Sequence, residues 1–160
     1  MNLCVMVHSK TGTTLTFGKR IASELEKNGH TVDFIELKTD QPVNSSAPGK
    51  PINFKITNLP TDKQYDIYLV GSPVWGGQPT PVAIEAIKQT KGLAGKKFIP
   101  FVTHSFPFAS WGGNQSLAKL LKTAKEQNAL TLEGVSIERM FKNLDIQIEN
   151  GVKKILSIVK

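Results

Sequence analysis

The chain is poor in cysteine and histidine, and it has no long apolar run. Cys4 is the single cysteine in 160 residues. That excludes an intramolecular disulfide framework and fits a reducing compartment. His8, His30 and His104 are far apart in sequence and no cysteine pair exists, so no metal-ligand spacing is present. No apolar stretch approaches the roughly 20 residues that a membrane span needs. The first residues show no basic region followed by a long apolar stretch, so no export signal is expected and a cytoplasmic location is. Repeats, low-complexity tracts and composition breaks are also missing, so residues 1–160 read as a single domain, large enough for a proper core.

What the chain has in excess is positive charge, with a formal net charge of +7. A basic balance can mean nucleic acid, an anionic membrane or acidic protein partners. Here the lysines are scattered. Lys96-Lys97 and Lys153-Lys154 are pairs, but no dense basic run exists. The pattern is that of a solvated basic surface, with neither nucleic acid nor membrane as partner. Charge is instead missing from three stretches, Thr11 to Gly18, Ile67 to Ile84 and Phe98 to Ala118, which hold no Asp, Glu, Lys or Arg.

Periodicity predicts alternating strands and helices. Leu3-Cys4-Val5-Met6-Val7 is a short apolar run, as a strand buried on both faces requires. Leu15 to Lys27 is amphipathic, with Leu15, Gly18, Ile21, Ala22 and Leu25 at helical spacing. Thr31 to Leu37 alternates at period two, which predicts an edge strand. Lys38 to Lys63 holds Pro42, Pro48, Pro51 and Pro60 and Asn44-Ser45-Ser46, so a long helix there is not expected; Ile52 to Ile56 could form a short accessory strand. Tyr65 to Gly71 reads as a central strand, followed by a turn over Ser72 to Pro79 and a helix from about Thr80. Lys97 to Thr103 is the next strand despite Pro100. A loop runs from His104 to Gly113, a helix from about Asn114 to Gln127, a last strand from Thr131 to Ile137 and a last helix from Asn143 to Val159. Such alternation gives a parallel sheet with right-handed crossovers and helices on both faces: an α/β, doubly wound three-layer sandwich of five strands. Ligands of such sheets sit beyond the carboxyl ends of the strands.

Three loops meet at that edge. The first, Ser9-Lys10-Thr11-Gly12-Thr13-Thr14, is rich in hydroxyl donors where a buried strand crosses into a helix. Free helix-start amides, the positive end of the dipole and a glycine permitting close approach could together wrap a phosphate. An ordinary Ser/Thr turn with an N-cap would look the same. The second is Gly71-Ser72-Pro73-Val74-Trp75-Gly76-Gly77. The third opens with Thr103-His104-Ser105-Phe106 and closes with Gly112-Gly113.

In these three motifs the chain resembles the flavodoxin-like family over essentially its whole length. The first has the family's Ser/Thr-x-Thr-Gly-x-Thr pattern, and the size suits the short-chain type. The resemblance implies strand order 2-1-3-4-5 and a non-covalently bound flavin mononucleotide (FMN). Its phosphate would meet residues 9–14. Its flat, largely apolar ring would lie between the second and third loops. Trp75 could stack on one face, since flanking glycines give it little to pack against. Phe106, Phe108 or Trp111 could cover the other, although Phe108 reads better as simple core or loop packing. His104 is a candidate for the pyrimidine end of the ring or a satisfied loop histidine. Apart from Lys10 and His104 the site reads as neutral, so a phosphate would be held mainly by dipoles. No residue is assigned as catalytic and none as a metal ligand.

The resemblance implies an electron-transfer protein. An FMN-dependent NAD(P)H:quinone-type oxidoreductase, or a cofactor-free binding module on the same fold, are the alternatives. Many flavodoxins are strongly acidic and this chain is basic. Its redox partner is therefore expected to present an acidic docking face, unless the acceptor is a small molecule. The helix expected between the second and third strands is replaced by the proline-rich stretch, so a patch of sheet would be covered by that loop or by a second subunit in a homodimer. Other phosphate binders fit poorly. Lys10-Thr11 lacks the Gly-x-x-x-x-Gly of a P-loop. A Cys-x5-Arg phosphatase loop starting at Cys4 would need arginine where Lys10 stands. The acidic cluster of a receiver domain is missing.

Overall fold

A computed structural model describes residues 1–44, 52–106 and 108–160. Its elements are β1 (Asn2–Val7), α1 (Thr13–Lys27), β2 (Thr31–Glu36), β3 (Ile67–Trp75), β4 (Gln78–Pro79), α2 (Pro81–Gln89), β5 (Lys97–His104), α3 (Gly113–Glu126), β6 (Leu130–Thr131), β7 (Val135–Glu138) and α4 (Leu144–Val159). β1 is buried on both faces, as its unbroken apolar run requires. Leu3, Val5 and Val7 join Ile67, Leu69, Ile99 and Phe101 under α1 and α4. Cys4 and Met6 join Tyr68, Val70, Phe98 and Val102 under α2 and α3. The period-two alternation of strand side chains thus supplies two cores from one sheet. Burial, with the charge of Asp33 adding to it, pushes the Cys4 thiol up to about 12, so this cysteine is an inert small hydrophobe.

The strands order as β2-β1-β3-β5, with β6 and β7 sharing the last position. All these pairings are parallel, and β2 is the outer strand, as its alternation predicts. The sheet has seven strands rather than the five expected, for two local reasons. First, Ser72 to Trp75 is not a turn. β3 runs through it and folds back as antiparallel β4, with Trp75 opposite Gln78. The turn is Gly76-Gly77 alone, at φ of 56° and 78°. Two positive-φ residues are what the tightest β-hairpins need, and a glycine pair supplies them without strain. Second, the last strand is broken. Phe98 pairs with Thr131 and Phe101 with Val135, so Ile99 and Pro100 face the three residues 132–134. Pro100 has no N–H to donate. The extra residue forms a bulge at Gly134, where a Cβ would lie 2.9 Å from the Pro100 ring.

In α1 the buried stripe is Thr14, Phe17, Gly18, Ile21, Ala22 and Leu25. Leu15, expected in the stripe, lies at its half-buried margin. Between β2 and β3 no helix forms among the described residues. The expected strand at Ile52 to Ile56 reduces to one antiparallel bridge, Thr39 to Ile56. Leu37 and Phe54 are nevertheless buried, and Val43, Ile56 and Leu59 pack on the same core. The segment therefore covers the sheet face that a helix would have covered. Ser45, Ser46, Pro48 and Pro51 lie outside the described residues. No helix is long and apolar enough to cross a membrane among the described residues.

Candidate functional site

The carboxyl ends of β1, β3, β5 and β7 open on one edge of the sheet, so four loops converge there. The first is built by a change of backbone hand. Gly12 stands at the N-cap of α1 with φ of 95°, and no side chain caps the helix start. A Cβ at Gly12 would meet nothing within 4 Å, so the space above the first turn is open. The Gly12 N–H donates to Ser9 Oγ at 3.1 Å, and Thr16 Oγ1 donates to the Gly12 carbonyl at 2.9 Å. α2 and α4, by contrast, are capped by the side chains of Thr80 and Asn143. The start of α1 thus keeps free donors and the positive end of its dipole at the sheet edge.

Beneath this loop lies a layer of partnered hydroxyls. Thr14 and Thr103, both buried, share a 2.7 Å hydrogen bond between β5 and α1. Ser72 Oγ accepts from the Thr80 N–H at 2.9 Å and donates to the Pro73 carbonyl at 2.8 Å. His104 is 4 % exposed, and its Nδ1 lies 2.7 Å from the Phe106 carbonyl. Ser9, Lys10, Thr11, Gly12, Thr13, Val74, Trp75, Gly76 and Gly77 come to the rim, as do Ser105 and Phe106. Gly112 and Gly113 are buried behind them. A Cβ at Gly112 would stand 3.0 Å from Gly77 Cα, so the second and third loops touch there.

Trp75 has more to pack against than its glycine neighbours suggest. The His8 ring meets it edge-on at 5.4 Å, and Lys10 Nζ lies 5.8 Å from its centroid. Lys10, Asn44, Val74, Trp75 and Gly76 line a concavity of about 540 Å³. Phe106, Phe108 and Trp111 form an edge-to-face cluster on the third loop, each more than half exposed.

His8 Nδ1 is hydrogen-bonded to Thr80 Oγ1 at 2.8 Å. Burial lowers its pKa from 6.5 to about 4. The unfolded chain takes up a proton that the native state resists. The associated stability is therefore complete above pH ~6.5 and is lost as the pH falls towards 4. For this half-buried ring we expect a loss of about 2 kcal/mol. Urea midpoints at pH 7.5 and pH 4 should fall further for the parent than for His8→Gln, which keeps a polar partner for Thr80 but does not titrate. Equal falls would assign the acid sensitivity to other groups.

The fourth loop supplies residues that local patterns did not single out. Arg139, just past β7, donates from Nε to Ser105 Oγ at 2.8 Å and from Nη1 to Thr11 Oγ1 at 3.1 Å. The edge is therefore not neutral apart from Lys10 and His104. A guanidinium ties the first loop to the third. Its neighbour Glu138 is buried and turned inward, and Oε1 accepts the N–H groups of Met140 and Phe141 at 2.5 and 2.6 Å. Burial opposes its ionisation, but the N–H groups of Phe141, Met140 and Lys142 and the nearby His104 outweigh this and hold its carboxyl below the ordinary range. Ending the last strand at Ile137 hid both residues; the carboxyl-edge rule applied one residue later would have found them.

No family model matches the chain, and no curated protein matches its sequence. Solved structures do match its fold. It is similar to oxidised flavodoxin 1 of Bacillus cereus, with TM-score 0.67 and 18% identity over 99% of this chain and 97% of that one. It is similar to a flavoprotein of Lactobacillus acidophilus NCFM solved in complex with FMN, with TM-score 0.69 and 15% identity over 99% of both chains. A flavodoxin from Streptococcus pneumoniae TIGR4 matches with TM-score 0.64 and 15% identity over 98% of this chain and 99% of that one.

Proposed function

We propose, from the flavodoxin-like fold and the donors gathered at its carboxyl edge, that the chain binds FMN non-covalently and carries electrons to and from a partner. One observation carries this reading. An uncapped helix start and the hydroxyls of Ser9, Thr11 and Thr13 share the first loop, Lys10 Nζ of that loop lies 5.8 Å from the Trp75 ring centroid, and the three surrounding loops hold no carboxylate. That donor set fits a phosphate monoester dianion. Trp75 on one side, and Phe106 and Trp111 on the other, fit a flat, largely apolar ring. When bound, FMN supplies one- and two-electron chemistry.

The chain's own residues bind and orient. Residues 9–13 hold the phosphate end by backbone amides and hydroxyls. The Thr14–Thr103 bond fixes the first loop against β5. Gly76-Gly77 gives the second loop a hairpin turn that can approach the ring closely. The basic surface favours a redox partner with an acidic face.

Purification followed by kinetics tests this. The protein is expected to absorb in the flavin bands once loaded with FMN, and to oxidise NADH or NADPH with a quinone no faster than free FMN does. Rapid steady-state turnover would instead make it a reductase. Absence of any flavin uptake would leave a binding module on the same fold.

A further inference from the structure

We infer that Arg139 is itself a ligand of the anion at this site, and that it makes the site select a phosphorylated flavin over an uncharged one. The inference rests on the FMN reading above and adds a residue and a specificity to it.

The backbone places Arg139 firmly. His104 pairs with Glu138 in the sheet, and the Arg139 N–H donates to the His104 carbonyl at 3.0 Å. From there the side chain crosses to the third loop at Ser105 and reaches the first at Thr11. Both acceptors are neutral hydroxyls. None of the ion pairs among the described residues involves Arg139. The nearest carboxylate in sequence, Glu138, is buried, and its Oε1 accepts backbone N–H groups in the interior. The chain therefore holds a cation at the mouth of the helix start, with no ion-pair partner among the described residues.

A guanidinium has five N–H donors, and two are used among the described residues. A phosphate oxygen is a much stronger acceptor for the rest than a hydroxyl, because both partners then carry charge. Thr11 gains as well. Its oxygen accepts from Arg139, which leaves its O–H free to donate to the same anion and polarises it for that bond. Dipoles alone would hold a phosphate. A formal charge adds preference for the dianion and a dependence on salt.

The test uses full-length protein freed of flavin. FMN and riboflavin are each titrated by the quenching of flavin fluorescence, at several salt concentrations. Arg139→Gln should weaken FMN binding roughly ten- to hundredfold, the loss of one hydrogen bond to a charged group. Riboflavin affinity should change less than twofold, and the FMN affinity should fall less steeply with salt than in the parent. Arg139→Lys keeps the charge without the fork and should retain most of the salt dependence; it also serves if the Gln variant folds poorly. Equal losses for FMN and riboflavin, or an unchanged FMN affinity, would overturn the inference alone. A parent that binds neither flavin would overturn the FMN reading and this inference with it.

Discussion

The Gly12→Asp protein should bind FMN at least a hundredfold more weakly than the Gly12→Asn protein, while melting no lower. The two side chains have the same size, and both Asp and Asn enter the left-handed region more readily than other residues. The φ of 95° at Gly12 therefore costs both variants alike. Neither meets a wall, since nothing lies within 4 Å of a Cβ there. What differs is one negative charge at the start of α1. The helix dipole favours it in the free protein. A bound phosphate carrying about two charges does not. At about 5 Å and an effective dielectric near 40, repulsion is roughly 3 kcal/mol, or somewhat more than a hundredfold in affinity. Stability and affinity should thus move in opposite directions between the two variants. Equal FMN affinity in both would place the phosphate elsewhere.

Phe101→Ala should cost about 3–5 kcal/mol of folding stability. For a domain of this size that lowers the melting temperature by roughly 6–20 °C. Phe101 is fully buried on β5 and meets the Phe17 ring edge-on at 5.2 Å, joining the sheet to α1. Its ring also lies across Gly71 of β3, where a Cβ would come within 2.3 Å of it. The missing side chain at Gly71 is the space the ring fills, so truncation leaves a cavity that backbone cannot close. Because Phe101 stands two residues before Thr103, the Thr14–Thr103 bond should loosen too, and FMN affinity should fall with stability. Urea denaturation gives the stability directly. A loss under 1 kcal/mol would mean that the two strands close over the gap.

Much of this arrangement is written locally in the chain. The apolar run Leu3 to Val7, the hydroxyl-rich crossing and the following helical stripe are enough by themselves to place the first loop at the carboxyl edge. The two glycines at 76 and 77 also carry a hairpin signal, but Ser72-Pro73 beside them reads as a turn. It is strand because Pro73 pairs with Thr103 on β5, a partner that no local pattern reveals. The surroundings of Trp75 are hidden for the same reason: Gly76 and Gly77 follow it in sequence, but its neighbours in space are His8 and Lys10. Pro100 argues against a strand when read alone; in the sheet it shifts the disruption to the adjacent strand, at Gly134. Arg139 is the largest omission. One arginine after a short strand looks like ordinary surface charge, and only the register of β7 on β5 turns it into the first loop.

The most direct test of the phosphate cradle proposed at residues 9–13 is a fluorescence titration of FMN with the flavin-free parent protein. We expect quenching that saturates at one FMN per chain with a submicromolar dissociation constant, with riboflavin bound at least tenfold more weakly, about 1.4 kcal/mol or more of phosphate contribution. FMN fluorescence unchanged at tens of micromolar protein, or equal affinity for FMN and riboflavin, would contradict it.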